Sequence, residues 1–346
     1  MFFNNVRMVR DEPGIIVGPI SSFLGFILDF IYNLTEFIAG PAALGWSIII
    51  FTILVNLAIL PLGIKMQANM KKMQDLKPQI DAINEKYKDK KDKESQQQKA
   101  MEIQNVYGSN NVNPLAGCLP MFLQMPIFIT LFNMFQLPYL FISNLHDVYS
   151  QIATQIMSIP NFHTYIQNTT SIGLDKMPAN MERLLLGEMS DLLRLFNVYT
   201  PQDWQTLLYV LPSQYLNYDY IQSLLYQKDA MEHFLGISLV QNAGFLWPGI
   251  LLPIFAGATT FFSSRIMMKN QPTPSSGGEG MASAMATQQK VMSYGMPIMM
   301  SFFTITAPGA VGLYWITNNL CQIAKQKGLN KIIDKKNKKN SSIIDV

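Results

Sequence analysis

Charged residues are scarce in this chain, which argues against an ordinary soluble protein. Only 14% of the 346 residues are Asp, Glu, Lys or Arg, whereas soluble globular domains carry about 25%. Hydrophobic residues make up 49% of the sequence and cluster in long runs. A low charge content combined with long apolar runs is typical of a protein that crosses a membrane several times as α-helices. The sequence therefore predicts an all-α polytopic membrane protein.

Cysteines and catalytic motifs are also few. Cys118 and Cys321 are the only two cysteines, and both fall in apolar runs, so no disulfide framework is predicted. The sequence contains none of the local motifs of serine hydrolases, zinc proteases, P-loop proteins or CxxC redox proteins. The three histidines, His146, His163 and His233, are too widely spaced for a compact metal motif. We therefore predict no enzymatic activity, no cofactor and no metal.

Five apolar runs approach the length that crosses a bilayer core, which takes about 20 helical residues. The first carries a single amide, Asn56, and reaches Pro61 before a lysine-rich segment begins. The last two runs are short and meet at Pro308 and Gly309, a pair typical of a tight turn. We predict a five-helix transmembrane core. Its spans are residues 42–62, 115–140, 245–266, 291–307 and 309–325.

Basic residues are sorted unequally between the segments that join these spans. Residues 63–114, 265–290 and 325–346 hold 20 of the 26 Lys and Arg residues, whereas residues 141–243 hold four against nine acids. Cytoplasmic loops of membrane proteins carry the excess of Lys and Arg. This predicts a cytoplasmic C terminus. The predicted cytoplasmic segments are a hairpin at 63–114, a linker at 267–290 and a basic tail at 326–346, and the predicted extracytoplasmic helical region is 141–244.

The N-terminal residues 1–41 allow two interpretations. Their apolar part carries four polar residues at steps of seven, four and three, which places them on one side of a helix: Ser22, Asp29, Asn33 and Glu36. A polar stripe on an apolar helix is typical of an amphipathic helix that lies in the membrane interface. Arg7 and Arg10 favour instead an inserted sixth span. We predict the interfacial helix.

The lysine-rich segment 63–114 carries two amphipathic helical patterns, separated by a charged break at residues 88–93. Apolar residues of the first pattern recur at steps of three and four, as on one face of a helix. They are Met70, Met73, Leu76, Ile80, Ile83 and Tyr87. Two interpretations are open for this hairpin. It is either an ordinary solvated loop or a docking arm that recruits a cytoplasmic partner through its apolar stripe.

Uncharged polar residues fall in the cytoplasmic halves of the predicted spans. At a rise of about 1.5 Å per residue, Asn56 lies about 9 Å from the inner end of the first span and Gln124 about 14 Å inside the second. Thr259 and Thr260 lie in the inner half of the third span. The last span carries a polar stripe of Trp315, Asn318, Asn319 and Gln322. Either these groups line a polar groove open to the cytoplasm, or they form ordinary hydrogen bonds between helices.

Four strings in this sequence resemble signatures of the YidC/Oxa-type membrane protein insertase family. They are FTILVNLAILPL at 51–62, MKKMQDLKPQIDAINEKY at 70–87, GCLPMFLQMPIFITLF at 117–132 and PGAVGLYWITNNLCQIAKQ at 308–326. Their order, their spacing and the five-span topology agree with the Gram-positive-like bacterial members. The resemblance covers roughly residues 45–140 and 244–327.

The resemblance implies an insertase and membrane-protein chaperone of the bacterial plasma membrane, which moves short segments from the cytoplasm into lipid without ATP. It implies nascent membrane proteins and membrane lipids as partners, and also the Sec translocon, the ribosome and the signal recognition machinery. One departure concerns Asn56, because many members carry an arginine there that is thought to attract acidic residues of the incoming segment. The alternative is a small channel or carrier that uses the same polar cavity, although the predicted spans contain no Asp, Glu or His.

Overall fold

The computed structural model describes residues 17–90, 92–113, 119–169, 188–268 and 291–344, and most of these residues are helical. The linker predicted at 267–290, the first 16 residues and the beginning of the second predicted span lie mainly or wholly outside the described residues. The α-helices before the region predicted to be extracytoplasmic are α1 (Val17–Ala39), α2 (Ala43–Asp75), α3 (Lys77–Lys86), α4 (Lys93–Ser109) and α5 (Leu119–Gln136). Short 3₁₀ turns follow α1 at Gly40–Ala42 and α5 at Pro138–Leu140.

The region predicted to be extracytoplasmic is also mainly helical. Its helices are α6 (Ser143–Met157), α7 (Phe162–Thr169), α8 (Met189–Val198), α9 (Pro201–Val210) and α10 (Tyr218–Glu232), with a 3₁₀ turn at Ser213–Tyr215. A two-stranded antiparallel hairpin of β1 (His233–Phe234) and β2 (Ile237–Ser238) follows α10, although no strand is predicted from the sequence there. The remaining elements are α11 (Leu251–Met268), a π-helical turn (Val291–Gly295), α12 (Met296–Thr306) and α13 (Gly309–Ile344).

The chain forms two compact units. The first unit comprises residues 1–51, 127–250 and 304–313, and the second comprises residues 52–126, 251–303 and 314–346. In the first unit, α8 and α10 pack on α6, and α9 packs on α7. Ile152, Phe196 and Ile221 are completely buried there. Burial of such large apolar side chains supplies most of the free energy that holds helices of this length together.

The polar stripe predicted on α1 contacts protein through its two acids. The backbone N–H and the hydroxyl of Ser143 donate to the Asp29 carboxylate at 2.8 and 3.1 Å. The Asn144 amide donates to Glu36. Asp29 therefore accepts from the first turn of α6, where the positive end of the helix dipole favours a carboxylate. A neighbouring face of α1 exposes large apolar side chains: Phe23, Phe26, Phe30, Leu34 and Phe37.

Two stretches of the described residues are long and apolar enough to cross a membrane. They are Gly18–Asp75, which covers α1 from its second residue and all of α2, and Leu251–Met268, which is α11. This finding supports a helical membrane protein. The interfacial placement of α1 and the five-span arrangement stay predictions.

Several helices end elsewhere than the predicted spans. α2 continues through Pro61 to Asp75, so the apolar run ends there but the helix does not. α5 ends at Gln136 because the next residue, Leu137, precedes Pro138 and adopts a non-helical conformation. α11 begins at Leu251 rather than at 245, and α13 runs on to Ile344 rather than ending near 325.

The helices α3 and α4 pack against each other within the second unit. Lys86 Nζ and the Tyr87 hydroxyl both donate to Glu102 Oε1, at 2.6 and 2.9 Å. These hydrogen bonds, the one from Lys86 first, lower the pKa of the Glu102 carboxyl below its ordinary value. Asp92 caps the N terminus of α4 by accepting from the backbone N–H of Ser95 at 2.8 Å. The charged break thus ends in an ordered helix cap.

Candidate functional site

The polar residues of the last predicted span lie on one part of the α13 surface. The helix starts at Gly309, where a Cβ atom would lie 2.1 Å from the backbone oxygen of Ser238, so no larger residue fits. Four polar or aromatic residues come later in the helix, at steps of one, three and one. They are Tyr314, Trp315, Asn318 and Asn319. Because residues three and four apart are neighbours on a helix, these side chains form one polar patch.

The first contact of this patch joins α13 to α2. Asn56 Nδ2 donates to Asn318 Oδ1 at 3.0 Å and to the backbone oxygen of Thr52 at 2.9 Å. Asn318 is buried and Asn56 is half-buried. The amide that marked the first predicted span therefore has its partner 262 residues away, in the stripe of the last span.

The second contact joins α13 to α5. Gln124 Nε2 donates to the hydroxyl of Tyr314 at 2.8 Å. Tyr314 is only 2% exposed, and this hydrogen bond gives its buried hydroxyl a polar partner. Gln124 is predicted from the sequence as a site residue, and Tyr314 is not. The available signal was its spacing, since Tyr314 lies four residues before Asn318 and therefore shares its side of the helix.

The third contact joins α13 to α11. Trp315 Nε1 donates to Thr260 Oγ1 at 2.8 Å, and the Thr260 hydroxyl donates to the backbone oxygen of Ala256 at 2.6 Å. The Asn319 side-chain amide lies 2.9 Å from Thr260 Oγ1 and 3.2 Å from Thr259 Oγ1. The backbone N–H of Thr260 and the Nε1–H of Trp315 also point at this amide from 3.2 Å. The atom of the Asn319 amide that faces these donors is therefore its oxygen.

Gln322 and Lys325 extend the patch along α13. Gln322 is half-buried, and its side chain makes no hydrogen bond to the residues that the structure describes. Lys325 is also half-buried, and its Nζ lies 3.5 Å from the position that a Cβ on Gly63 would occupy. Asn56 thus contacts α13 at Asn318. Gly63, seven residues after Asn56 in α2, lies beside Lys325, seven residues after Asn318 in α13. This stretch of α2 therefore runs parallel to α13, and it brings one cation within about two helical turns of Asn56.

The six residues of the predicted recruitment stripe lie at protected positions. Leu76 and Tyr87 are buried, and Met70, Met73, Ile80 and Ile83 are half-buried. The stripe faces protein along much of its length. An external partner would first meet the charged outer surface of α3 and α4.

Comparison with known proteins identifies the family. The sequence profile of the family described as 60Kd inner membrane protein matches residues 34–337. The membrane protein insertase YidC of Oceanobacillus iheyensis is 24% identical over 312 residues, which cover 87% of this chain and 82% of that protein. The membrane protein insertase MisCA of Bacillus subtilis is 28% identical over 303 residues, which cover 85% of this chain and 75% of that protein.

A second type of relative is much longer than this chain. The membrane protein insertase YidC of Leptospira interrogans is 36% identical over 204 residues, which cover 57% of this chain but only 29% of that protein. The family match, by contrast, extends over most of the present sequence and includes all the residues that form the polar contacts of α13 described above. The chain is a membrane protein that belongs to the 60Kd inner membrane protein family, the family of the YidC-type proteins that its sequence resembles.

Proposed function

We propose that this protein is a membrane protein insertase that receives segments of nascent membrane proteins from the cytoplasm and passes them into lipid. One observation carries the proposal. A single helix, α13, hydrogen-bonds through its polar patch to three other apolar helices, while Asn56, Gln124, Trp315 and Gln322 stay only half-buried. The names of the relatives support the same activity.

The half-buried amides favour water at this site rather than lipid. An amide that lacks a hydrogen-bond partner costs roughly 2–7 kcal/mol in an apolar medium. In the described contacts, Asn56 and Gln124 each use only the nitrogen of the side-chain amide. Gln322 uses neither its nitrogen nor its oxygen in these contacts. The remaining donors and acceptors are satisfied at least cost if water fills a groove beside α13. Such a groove would replace part of the hydration of a polar flank as it crosses the membrane.

The proposed arrangement has five spans, a cytoplasmic hairpin of α3 and α4, and α1 in the interface. The positive-inside distribution of Lys and Arg supports this orientation. We propose the charged surface of the hairpin as the first contact with incoming chains, because its apolar stripe is mostly covered. The Sec translocon, the ribosome and the signal recognition machinery are proposed partners at this cytoplasmic side.

Reconstitution tests the activity. Purified full-length protein in liposomes should insert a short single-span substrate that has a polar flank, and empty liposomes should insert less. Asn56→Leu and Gln124→Leu should slow insertion, since both remove an amide from the proposed groove at nearly constant volume. Asn33→Leu is the matched control, because Asn33 is an exposed amide on α1 that bonds its own helix. Solute flux through the same liposomes without accelerated insertion would establish a channel or carrier instead.

Labelling tests the groove itself. In a variant without native cysteines, cysteine at position 56 or 124 should react with a membrane-impermeant maleimide added from the cytoplasmic side only. Protection of both positions, with an exposed hairpin cysteine labelled normally, would show that the amides only join helices.

A further inference from the structure

Two neighbouring loops of the first unit expose four large apolar side chains. Leu235, in the turn between β1 and β2, is 83% exposed, and Phe245, Leu246 and Trp247, just before α11, are 68%, 83% and 77% exposed. The loops approach each other, because a Cβ on Gly236 would lie 3.9 Å from the Pro248 ring. These four residues are called the apolar clasp below.

The backbone of the turn makes Leu235 an unexpected residue. Leu235 has φ of 52° and Gly236 has φ of 77°, so both adopt left-handed conformations. Two-residue hairpin turns of this kind strongly prefer Asn-Gly or Asp-Gly. A bulky side chain at positive φ is an outlier that points to a function. Here the strained position presents a leucine outward, which suits a contact with an apolar medium.

The length of α11 fixes the depth of the clasp. This candidate membrane span has 18 residues. At about 1.5 Å per residue it is roughly 27 Å long, close to the thickness of the hydrocarbon core. The helix therefore fills the core by itself, and residues 245–248 lie just beyond its end. Their backbone is not helical, and lipid-exposed backbone of that kind is not tolerated inside the hydrocarbon. Both arguments place the clasp at the level of the lipid headgroups.

A second apolar helix begins beside the same turn. The ring of Phe234 lies over Gly45, and it makes an edge contact with Trp46 at 5.6 Å between ring centroids. Trp46 is partly exposed and lies in the first turn of α2. Trp46 and Trp247 thus flank the hairpin, each near the beginning of an apolar helix. Tryptophan is enriched at this level of membrane proteins, where its ring meets both headgroups and acyl chains.

We propose that the apolar clasp inserts into the headgroup region of the lipid leaflet in which α2 and α11 begin. It anchors the helical region α6–α10 to the membrane surface at a point remote in sequence from α1. The partner is the lipid itself. The proposal does not depend on the insertase activity.

Site-directed spin labelling of the full-length protein tests the clasp. Both native cysteines are replaced by serine, and a nitroxide is placed on Leu235→Cys or Leu246→Cys in liposomes of phosphatidylethanolamine and phosphatidylglycerol. Oxygen concentrates in lipid and a nickel chelate stays in water. The ratio of collision rates with oxygen and with nickel should be several-fold higher at these sites than at Gln205→Cys, an exposed polar position on α9.

The other outcomes overturn the proposal. A ratio equal to that of Gln205→Cys would place the clasp in water. Protection of the labels from both reagents would show that protein, such as a second copy of this chain, covers the clasp. Since both leucines are largely exposed, the cysteine substitutions remove little core packing, and a folded variant is expected in each case.

Discussion

Substitution of Asn56 by arginine tests whether a charge beside the polar patch of α13 controls which segments are captured. Asn56 is neutral, and the wild-type protein is therefore expected to insert acidic and neutral flanks at similar rates. An arginine there would find two acceptors in place, Asn318 Oδ1 and the backbone oxygen of Thr52. These acceptors make the buried charge tolerable, because a charge in a partly desolvated site needs hydrogen-bond partners.

The size of the effect follows from the half-buried position of Asn56. Two opposite charges about 4 Å apart attract by about 1 kcal/mol in water and about 4 kcal/mol at an effective dielectric constant near 20. A half-buried site lies between these limits. The Asn56→Arg variant should therefore favour an acidic flank over a neutral one by about fivefold at least, and by about a thousandfold at most.

Single-turnover insertion into liposomes measures this preference. The two substrates differ only in Asp or Asn residues in the translocated flank, and the result is the ratio of their insertion rates. Asn56→Gln is the matched control, since it keeps an amide and adds no charge. Added salt should reduce the preference of the arginine variant, because screening shortens the reach of a charge that water can approach.

Two results would refute this reasoning. An unchanged ratio in a folded Asn56→Arg variant would show that the substrate does not pass near this position. A strong wild-type preference for acidic flanks that salt abolishes would show that another cation captures them. Lys325, half-buried beside Gly63, would then be the first residue to replace.

Three further predictions concern the rest of the molecule. Lys228 and Glu232 form a buried ion pair at 2.8 Å. Lys228→Met should therefore destabilise the protein by about 3–5 kcal/mol in thermal unfolding, because it leaves the Glu232 charge buried without its partner, and adding Glu232→Gln should recover most of the loss. If the second substitution recovers nothing, the isolated buried charge is not the cause of the destabilisation. Asp29→Ala should lower the free energy of unfolding by about 0.5–2 kcal/mol, as loss of a helix cap does, and should increase hydrogen exchange in the first turn of α6; unchanged exchange would refute the cap. Charge reversal of Lys88 and Lys90 should slow insertion at low salt without changing thermal stability, and equal rates would argue against recruitment by the hairpin surface.

The sequence by itself determined the class of the protein and the position of its polar stripe. Low charge and long apolar runs are sums over neighbouring residues, so they indicate membrane helices whatever the packing. The polar stripe on the last predicted span could be identified for a similar reason, because helical spacing alone places Trp315, Asn318, Asn319 and Gln322 close together. Family membership followed from local strings, and the family match confirms it.

Helix ends and side-chain partners were decided by the tertiary structure. The apolar run of the first span stops near Pro61, but the helix continues to Asp75, because hydropathy reports the surroundings of a residue and not its backbone conformation. The apolar run of the third span begins at 245, but the helix begins at Leu251, and the difference creates the exposed loop of the clasp.

The partners of the site residues are the clearest case. Periodicity shows which side of a helix a residue occupies, but not which helix packs there. Asn56 with Asn318, and Gln124 with Tyr314, are separated by 262 and 190 residues, so each pair forms only when the helices assemble. The same holds for Lys325 beside Gly63 and for Leu235 beside the loop that precedes α11. Local sequence determines helices and their polar faces, whereas contacts between distant segments exist only in the packed structure.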